Sequence, residues 1–184
     1  MNTESRTALS YDTKSIWLHW ITAAIVILLL CVGQTIDWFP RGIWRTTVRS
    51  LHISTGSLLG LIVLYRIWWR VQGGRRLAPA NVGLTRTLTK TVHLALYAAV
   101  LATVILGAAN VWVRGDTLFN LLTVPAFDPG NKALRHQVEE LHQLAAYLVL
   151  IVAALHAGAA LLHHYVRKDE VLRRMLPGRG AQSR

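Results

Sequence analysis

Cysteine and acidic residues are scarce in this 184-residue sequence. The single cysteine, Cys31, excludes an intramolecular disulfide, a C-x-x-C-H haem attachment and an iron–sulfur cluster ligated by cysteines. Asp and Glu number 9, against 20 Lys and Arg. The sequence also lacks an internal repeat, a Gly-rich phosphate loop and a convincing Ser/His/Asp grouping. Its chemistry must therefore come from other residue types.

Long apolar segments are abundant, since 53% of the residues are hydrophobic. Four segments reach transmembrane length and contain no Asp or Glu: 16–36, 51–69, 92–113 and 141–165. We therefore predict an all-α integral membrane protein, a bundle of four transmembrane helices forming a single domain over residues 1–184. The first segment is too long for the apolar region of a signal peptide and no A-x-A-like site follows it, so we expect it to be retained.

The Lys and Arg residues are distributed unevenly around these spans. Fourteen lie on one side, in the N-terminal segment, the second connection and the C-terminal tail when Arg66 at the end of the second span is included, whereas six fall in the first and third connections. The positive-inside rule then places both termini in the cytoplasm. Because this asymmetry accounts for the basicity, we expect the partner of the basic residues to be the lipid bilayer and not nucleic acid.

The last span carries histidines at His142, His156, His163 and His164. Fourteen residues separate the first two, which is four helical turns less about 40°, so they share one face about 21 Å apart. An ionisable side chain at membrane depth is costly without a partner. The pattern therefore predicts two functional sites at two depths.

Histidines in the other spans match these depths. His52 and His142 lie near the outer end, whereas His19 and His156 belong to the inner half. An interfacial, hydrated position for His19 is an alternative. His93, at the inner end of the third span, is either a rival inner ligand or a polar group near the inner site, and we favour the second reading.

Paired imidazoles without carboxylate or thiolate partners favour bis-histidine haem b over a structural zinc site. One ring nitrogen must face the iron while the other finds an acceptor, for which a backbone carbonyl or the Ser54 hydroxyl is suitable. Six-coordinate iron has no position for a substrate, so we expect one-electron transfer. Sites about 21 Å apart would bridge most of the roughly 30 Å hydrocarbon core.

Two glycines, Gly56 and Gly60, lie close to the face of His52. They leave room for a flat macrocycle or permit close helix packing, and the two roles are compatible. At the inner end of the same span, Arg66 and Arg70 can reach lipid headgroups or a cofactor propionate. The following segment, 71–91, is predicted to be a cytoplasmic loop.

The first connection contains Arg41, Arg45 and Arg49, spaced four residues apart. On a helical turn they would form one positive edge leading to His52. Lipid-headgroup anchoring is the favoured interpretation, and electrostatic steering of a small anion is the functional alternative. In the third connection, residues 117–127 are apolar enough to lie on the membrane surface or to cap the bundle.

His163 follows His156 by two turns less about 20°, so it continues the same stripe toward the cytoplasm. It is either a solvated residue at the helix end or a proton donor to a reduced quinone. His164 and His136 receive no role from the pattern.

The sequence resembles the bacterial cytochrome b561 family of small membrane haem proteins, which includes superoxide oxidases. The similarity rests on LHW around His19, HISTG and YRIWWR from His52 onward, HLALY from His93 and LHAGAALLHHYVRKDEVLRRMLP from Leu155. The resemblance implies that His19 and His156 ligate an inner haem b, and that His52 and His142 ligate an outer one.

The resemblance also implies a function. It predicts a multi-pass protein of the bacterial inner membrane that oxidises superoxide at the periplasmic side and delivers the electrons to ubiquinone, a superoxide:quinone oxidoreductase. The alternative is an electron-transfer subunit that carries electrons between a partner redox protein and the quinone pool. Both functions use two haem b groups and the same four histidines.

Overall fold

The computed structural model describes residues 10–75, 77, 83–119 and 121–177, although not the side chain of Leu84. Four long α-helices form the fold: α1 (Thr13–Thr35), α2 (Ile43–Gln72), α3 (Gly83–Arg114) and α4 (Lys132–Tyr165). Short 3-10 turns occupy Ile36–Trp38 and Arg173–Met175. Each of the four helices is long and apolar enough to cross a membrane. The predicted four-helix membrane fold is therefore confirmed.

The helices extend beyond the predicted spans. Helix α2 begins at Ile43, so part of the predicted first connection is helical, and α4 begins at Lys132. The prediction of a loop over 71–91 is wrong at both ends, because α2 continues to Gln72 and α3 begins at Gly83. The hydropathy window reports the length that contacts lipid, whereas backbone hydrogen bonds continue a helix into its polar flanks. Four arginines counted on the inner side lie outside the described residues: Arg6, Arg76, Arg179 and Arg184.

Helix packing follows chain order, with α1 against α2, α2 against α3 and α3 most extensively against α4. Leu59 and Val63 of α2 form the core with Ala99, Val100 and Val149. Val149 is the single buried residue in α4, although α4 carries two of the histidines that the sequence singles out. Most apolar side chains of α4 thus face outward, as expected for a helix in lipid.

Gly60 allows α2 and α3 to approach closely. A Cβ atom at this position would lie 2.9 Å from Cγ1 of Val104, which no real contact tolerates. The helix-packing role predicted for Gly60 is confirmed. A Cβ atom on Gly56 would have no described atom within 4 Å, so no helix contact there requires a glycine.

A short hairpin covers the outer end of the bundle. Strand β1 (Thr117–Leu118) pairs antiparallel with β2 (Leu122–Thr123). The backbone N–H of Phe119 donates a hydrogen bond of 3.0 Å to Oγ of Ser54, a buried residue of α2. Of the two positions predicted for this segment, the structure therefore supports a cap on the bundle. Ser54 accepts from the hairpin, and not from a histidine as the sequence suggested.

At the inner end, Asp12 joins three parts of the chain. Its carboxylate accepts from the Ser15 backbone N–H at 2.9 Å, which caps α1. It also accepts from the Trp69 indole and from the Arg75 backbone N–H, both at 3.1 Å. Partial burial acts to raise the pKa of Asp12, but these hydrogen bonds outweigh it and the pKa is lowered.

Asp12→Ala should lower the free energy of unfolding by about 1–2 kcal/mol near neutral pH, because α1 loses its cap. The control Asp37→Ala removes an exposed ion pair with Arg45 and should cost less than about 0.5 kcal/mol. Because the folded pKa of Asp12 is lowered, its contribution is complete above the ordinary value of 3.8 and is lost as pH falls through the folded pKa. Thermal unfolding of purified protein over a pH series measures both effects. An Asp12→Ala penalty that disappears well above pH 3.8 would contradict this account.

Candidate functional site

The outer pair of histidines comes from α2 and α4. The ring centroids of His52 and His142 are 6.3 Å apart, and the ring planes meet at 82°. The two imidazoles thus face each other near the end of the bundle that the hairpin covers. The structure thus brings together two residues that the sequence placed at the same depth.

The inner pair repeats this geometry between α1 and α4. The ring centroids of His19 and His156 are 6.2 Å apart, with planes at 80°. A metal ion held by two ring nitrogens at about 2 Å each would separate the ring centres by roughly 6 Å, because each centre lies about 1 Å behind its nitrogen. Both pairs therefore have a spacing at which two imidazoles could hold one metal ion between them.

Two glycines form the walls behind the outer pair. A Cβ atom on Gly33 of α1 would lie 3.3 Å from Cε1 of His52, and one on Gly107 of α3 would lie 3.2 Å from Cε1 of His142. Each imidazole therefore packs against a helix backbone that has no side chain at that point. These contacts restrict the orientation of both rings.

The hydrogen bonds of the outer pair leave nitrogen atoms available for a metal. Nδ1 of His142 lies 3.0 Å from the Thr103 carbonyl oxygen, which has no proton to donate, so the ring N–H donates. Nε2 then keeps its lone pair for a metal. Nδ1 of His52 is buried and has no hydrogen-bond partner among the described residues. Such a nitrogen is costly unless a ligand contacts it, so His52 has binding capacity that the protein itself does not use. The outer residues therefore fit bis-histidine haem b.

The inner pair has additional polar neighbours. Nη2 of Arg66 lies 2.9 Å from Nδ1 of His19. The His93 ring lies 5.2 Å from the His156 ring, centroid to centroid, and Nδ1 of His93 is 2.7 Å from the Thr89 carbonyl oxygen. His93 thus lies beside the inner pair, as predicted, and its ring also retains a free Nε2 lone pair.

The predicted positive edge is largely paired with carboxylates. Arg45 lies 3.3 Å from the Asp37 carboxylate, and Arg49 lies 3.7 Å from that of Asp116. Arg41 precedes α2 in an exposed turn, with no ion pair recorded within the described part of the chain. Two of the three arginines of the predicted positive edge therefore have a nearby carboxylate that offsets part of their charge.

His163 has a carboxylate partner that the sequence pattern missed. Its Nδ1 shares a short hydrogen bond with Oδ2 of Asp169, and Oδ1 of Asp169 accepts from the Val171 backbone N–H at 3.1 Å. Burial acts to raise the pKa of Asp169, but these hydrogen bonds outweigh it and the pKa is lowered. The resulting His–Asp pair at the inner end can hold a proton.

The two remaining histidines lie outside these sites. His136 pairs with Glu140 at 3.1 Å on the exposed surface. The ring of His164 contacts that of Tyr165, with centroids 4.9 Å apart.

Comparison with known proteins agrees with this architecture. The family model described as prokaryotic cytochrome b561 matches residues 10–178. Cytochrome b561 homolog 1 of Escherichia coli is 28% identical over 92% of this chain and 98% of its own length. Cytochrome b561 homolog 2 of the same organism is 30% identical over 90% of each chain. A probable superoxide oxidase of Yersinia pestis is 28% identical over 91% of this chain and 96% of its own length.

The family match spans all four helices and both histidine pairs. Membership implies haem b binding, for which the spacing of both imidazole pairs and the hydrogen bond of His142 are suitable. The chain therefore belongs to the prokaryotic cytochrome b561 family of bacterial membrane electron-transfer proteins.

Proposed function

We propose that this protein binds two haem b groups, oxidises superoxide at the outer side of the bacterial inner membrane and reduces ubiquinone. The observation that carries this proposal is the presence of two facing imidazole pairs, with centroid separations of 6.2 and 6.3 Å, at two levels of α4. Two redox sites at different depths allow charge to cross the hydrocarbon core.

Four histidines would hold the cofactors: His52 and His142 at the outer level, and His19 and His156 at the inner level. Haem b, when bound, supplies one-electron oxidation and reduction at each level. The chain itself fixes the two levels, because His142 and His156 lie about 21 Å apart along one helix. Gly33 and Gly107 orient the two outer rings.

The outer surface suits a small anion. Arg41 is exposed and precedes α2, the helix that carries His52. Arg49 and Arg114 share the Asp116 carboxylate at 3.7 and 3.6 Å, and Arg114 also pairs with Glu139 at 2.7 Å, so these charges balance and Arg41 supplies the excess positive charge. Such a surface raises the local concentration of superoxide by electrostatic focusing.

The inner end suits quinone reduction because His163 and Asp169 lie there. Two superoxide ions lose one electron each and become two molecules of dioxygen. Ubiquinone accepts these two electrons together with two protons and becomes ubiquinol. Asp169 holds the His163 ring through the hydrogen bond at Nδ1, so this pair is positioned to supply one of the protons.

An electron-transfer subunit is the second candidate function. Large apolar side chains are exposed near the outer end, including Trp38, Trp44 and Leu121. A docking surface for a redox partner would need such residues. A redox protein that co-purifies with the chain in equal amounts would favour this candidate over direct oxidation of superoxide.

Stopped-flow mixing with superoxide, with and without a ubiquinone analogue, tests the leading proposal. Superoxide should convert the b-type haem to its reduced form, and the quinone should then reoxidise the haem. The haem absorbance bands report both steps. Arg41→Gln should slow the first phase roughly two- to fivefold, and high ionic strength should have the same effect on the wild-type protein. Asp169→Asn should slow the quinone-dependent phase about tenfold and leave the first phase unchanged.

Arg86→Gln is the matched control, because it removes the same charge from an exposed position on α3 at the opposite end. It should leave the superoxide-dependent phase unchanged. Absence of superoxide-driven reduction would exclude the activity, and a rate independent of ionic strength would exclude steering by the arginines.

Gly107→Ala should disturb the outer site without destabilising the helix. The added methyl group would lie 3.2 Å from Cε1 of His142 and force the ring to move by a few tenths of an ångström. We expect outer haem affinity to fall about tenfold, as for other changes that reorient a metal ligand. The haem-to-protein ratio and the thermal midpoint are the measurements.

Gly130→Ala is the control, since nothing lies within 4 Å of the added atom. It should keep the wild-type haem content. Full haem occupancy in Gly107→Ala, with an unchanged absorbance spectrum, would contradict the positioning role of this glycine.

A further inference from the structure

Arg66 occupies an unusual position for a charged residue. It lies within α2 and is only partly exposed, and its Nη2 atom is 2.9 Å from Nδ1 of His19. Its guanidinium carbon also lies 5.4 Å from the centre of the Tyr97 ring, within the range of a cation–π contact. The charge is therefore held among the residues of the inner site.

No carboxylate neutralises this guanidinium within the parts of the chain that the structure describes. The ion pairs that arginines form there lie at the outer end of the bundle or beyond α4, and the four apolar spans contain neither Asp nor Glu. Arginine stays protonated in proteins, so burial cannot remove its charge. A cation at membrane depth is costly unless it is paired, and a carboxylate is a strong partner for a guanidinium.

The contact with His19 also fixes the proton on that ring. A guanidinium only donates hydrogen bonds, so Nδ1 of His19 must accept, and the neutral ring then carries its proton on Nε2. His142 and His93 carry their ring proton on Nδ1 instead, because their Nδ1 atoms face the carbonyl oxygens of Thr103 and Thr89. Those two rings keep Nε2 free, whereas His19 does not.

His19 therefore needs a change before it ligates a metal through Nε2. The proton must move to Nδ1, which leaves the proton count of the ring unchanged. Nδ1 then donates, and Arg66, which has no acceptor atom, must move away from it. The displaced guanidinium still requires an anion.

We propose that Arg66 binds a propionate carboxylate of the inner haem and releases Nδ1 of His19 when it does so. Haem b carries two propionates, so the cofactor that displaces Arg66 also provides its counter-ion. This inference rests on the proposed haem binding at His19 and His156 and is independent of superoxide as the electron donor. Arg66 is thus a positioning residue of the inner site.

The proposal distinguishes the two sites. Nδ1 of His142 already donates to a backbone carbonyl, and neither outer histidine has a recorded arginine contact within the described residues. Loss of the Arg66 charge should therefore affect the inner haem and spare the outer one. It should also lower the inner midpoint potential, because a nearby positive charge favours the reduced state.

The test compares Arg66→Gln and Arg66→Lys in the full-length purified protein with a control, Arg86→Gln, which removes the same charge from an exposed position on α3. The measurements are the haem-to-protein ratio, the midpoint potential of each haem and the propionate bending bands in resonance Raman spectra. The haem signal that is lost in the His19→Ala variant is assigned to the inner haem. Retention of the outer haem shows that each variant has folded.

Arg66→Gln should lower the inner midpoint potential or reduce inner haem retention about tenfold, and it should shift the propionate bands. Arg66→Lys should restore the potential toward the wild-type value, and Arg86→Gln should leave both potentials close to it. Unchanged potentials and haem content in Arg66→Gln would overturn this inference alone, as would equal shifts in both haems. A wild-type protein without b-type haem would overturn this inference and the proposed function together.

Discussion

An imidazole in a membrane span must find a partner, and this constraint organises the structure. Water is absent from the hydrocarbon core, so each ring nitrogen must use a backbone carbonyl, a side chain or a metal ion. The fold satisfies this requirement because α4 places His156 beside a histidine of α1 and His142 beside a histidine of α2. Four imidazoles thus form two pairs. Helix α4 packs mainly on α3 and contributes one buried residue, Val149.

The two pairs share a spacing but differ in their surroundings. The outer pair is held by glycine contacts and by a carbonyl acceptor, and a hairpin bonded to Ser54 covers that end of the bundle. The inner pair lies beside a guanidinium and a third imidazole, His93. The outer site is thus oriented by neutral backbone groups, whereas the inner site contains a charge that a bound cofactor can use.

The sequence predicted the parts of the fold that depend on local periodicity. Apolar segments of transmembrane length indicated four helices, and the fourteen-residue step placed His142 and His156 on one face. The helix ends were less predictable, because residues such as Ile43 and Gly83 extend helices beyond the apolar segments. The sequence motifs also resembled those of the cytochrome b561 family, and the family match confirms this resemblance.

Contacts between distant segments were not predictable from the sequence alone. Gly33 and Gly107 matter because they lie opposite histidines on other helices, and no spacing along the chain encodes that relation. The pairing of His163 with Asp169 depends on how the chain turns after α4, and that of Arg49 with Asp116 depends on the hairpin end of α3. These partners determine the charge and orientation of the residues that the sequence singled out.

Haem analysis of the purified protein and of two single variants tests the central claim, that α4 carries one ligand of each of two haem sites. The wild-type protein should contain two haem b groups per chain, with a reducible Soret band and α-band. His52→Ala should lose the outer haem and keep the inner one, and His156→Ala should do the reverse. If either variant retained both haems with unchanged spectra, the proposed pairing of the histidines would be wrong.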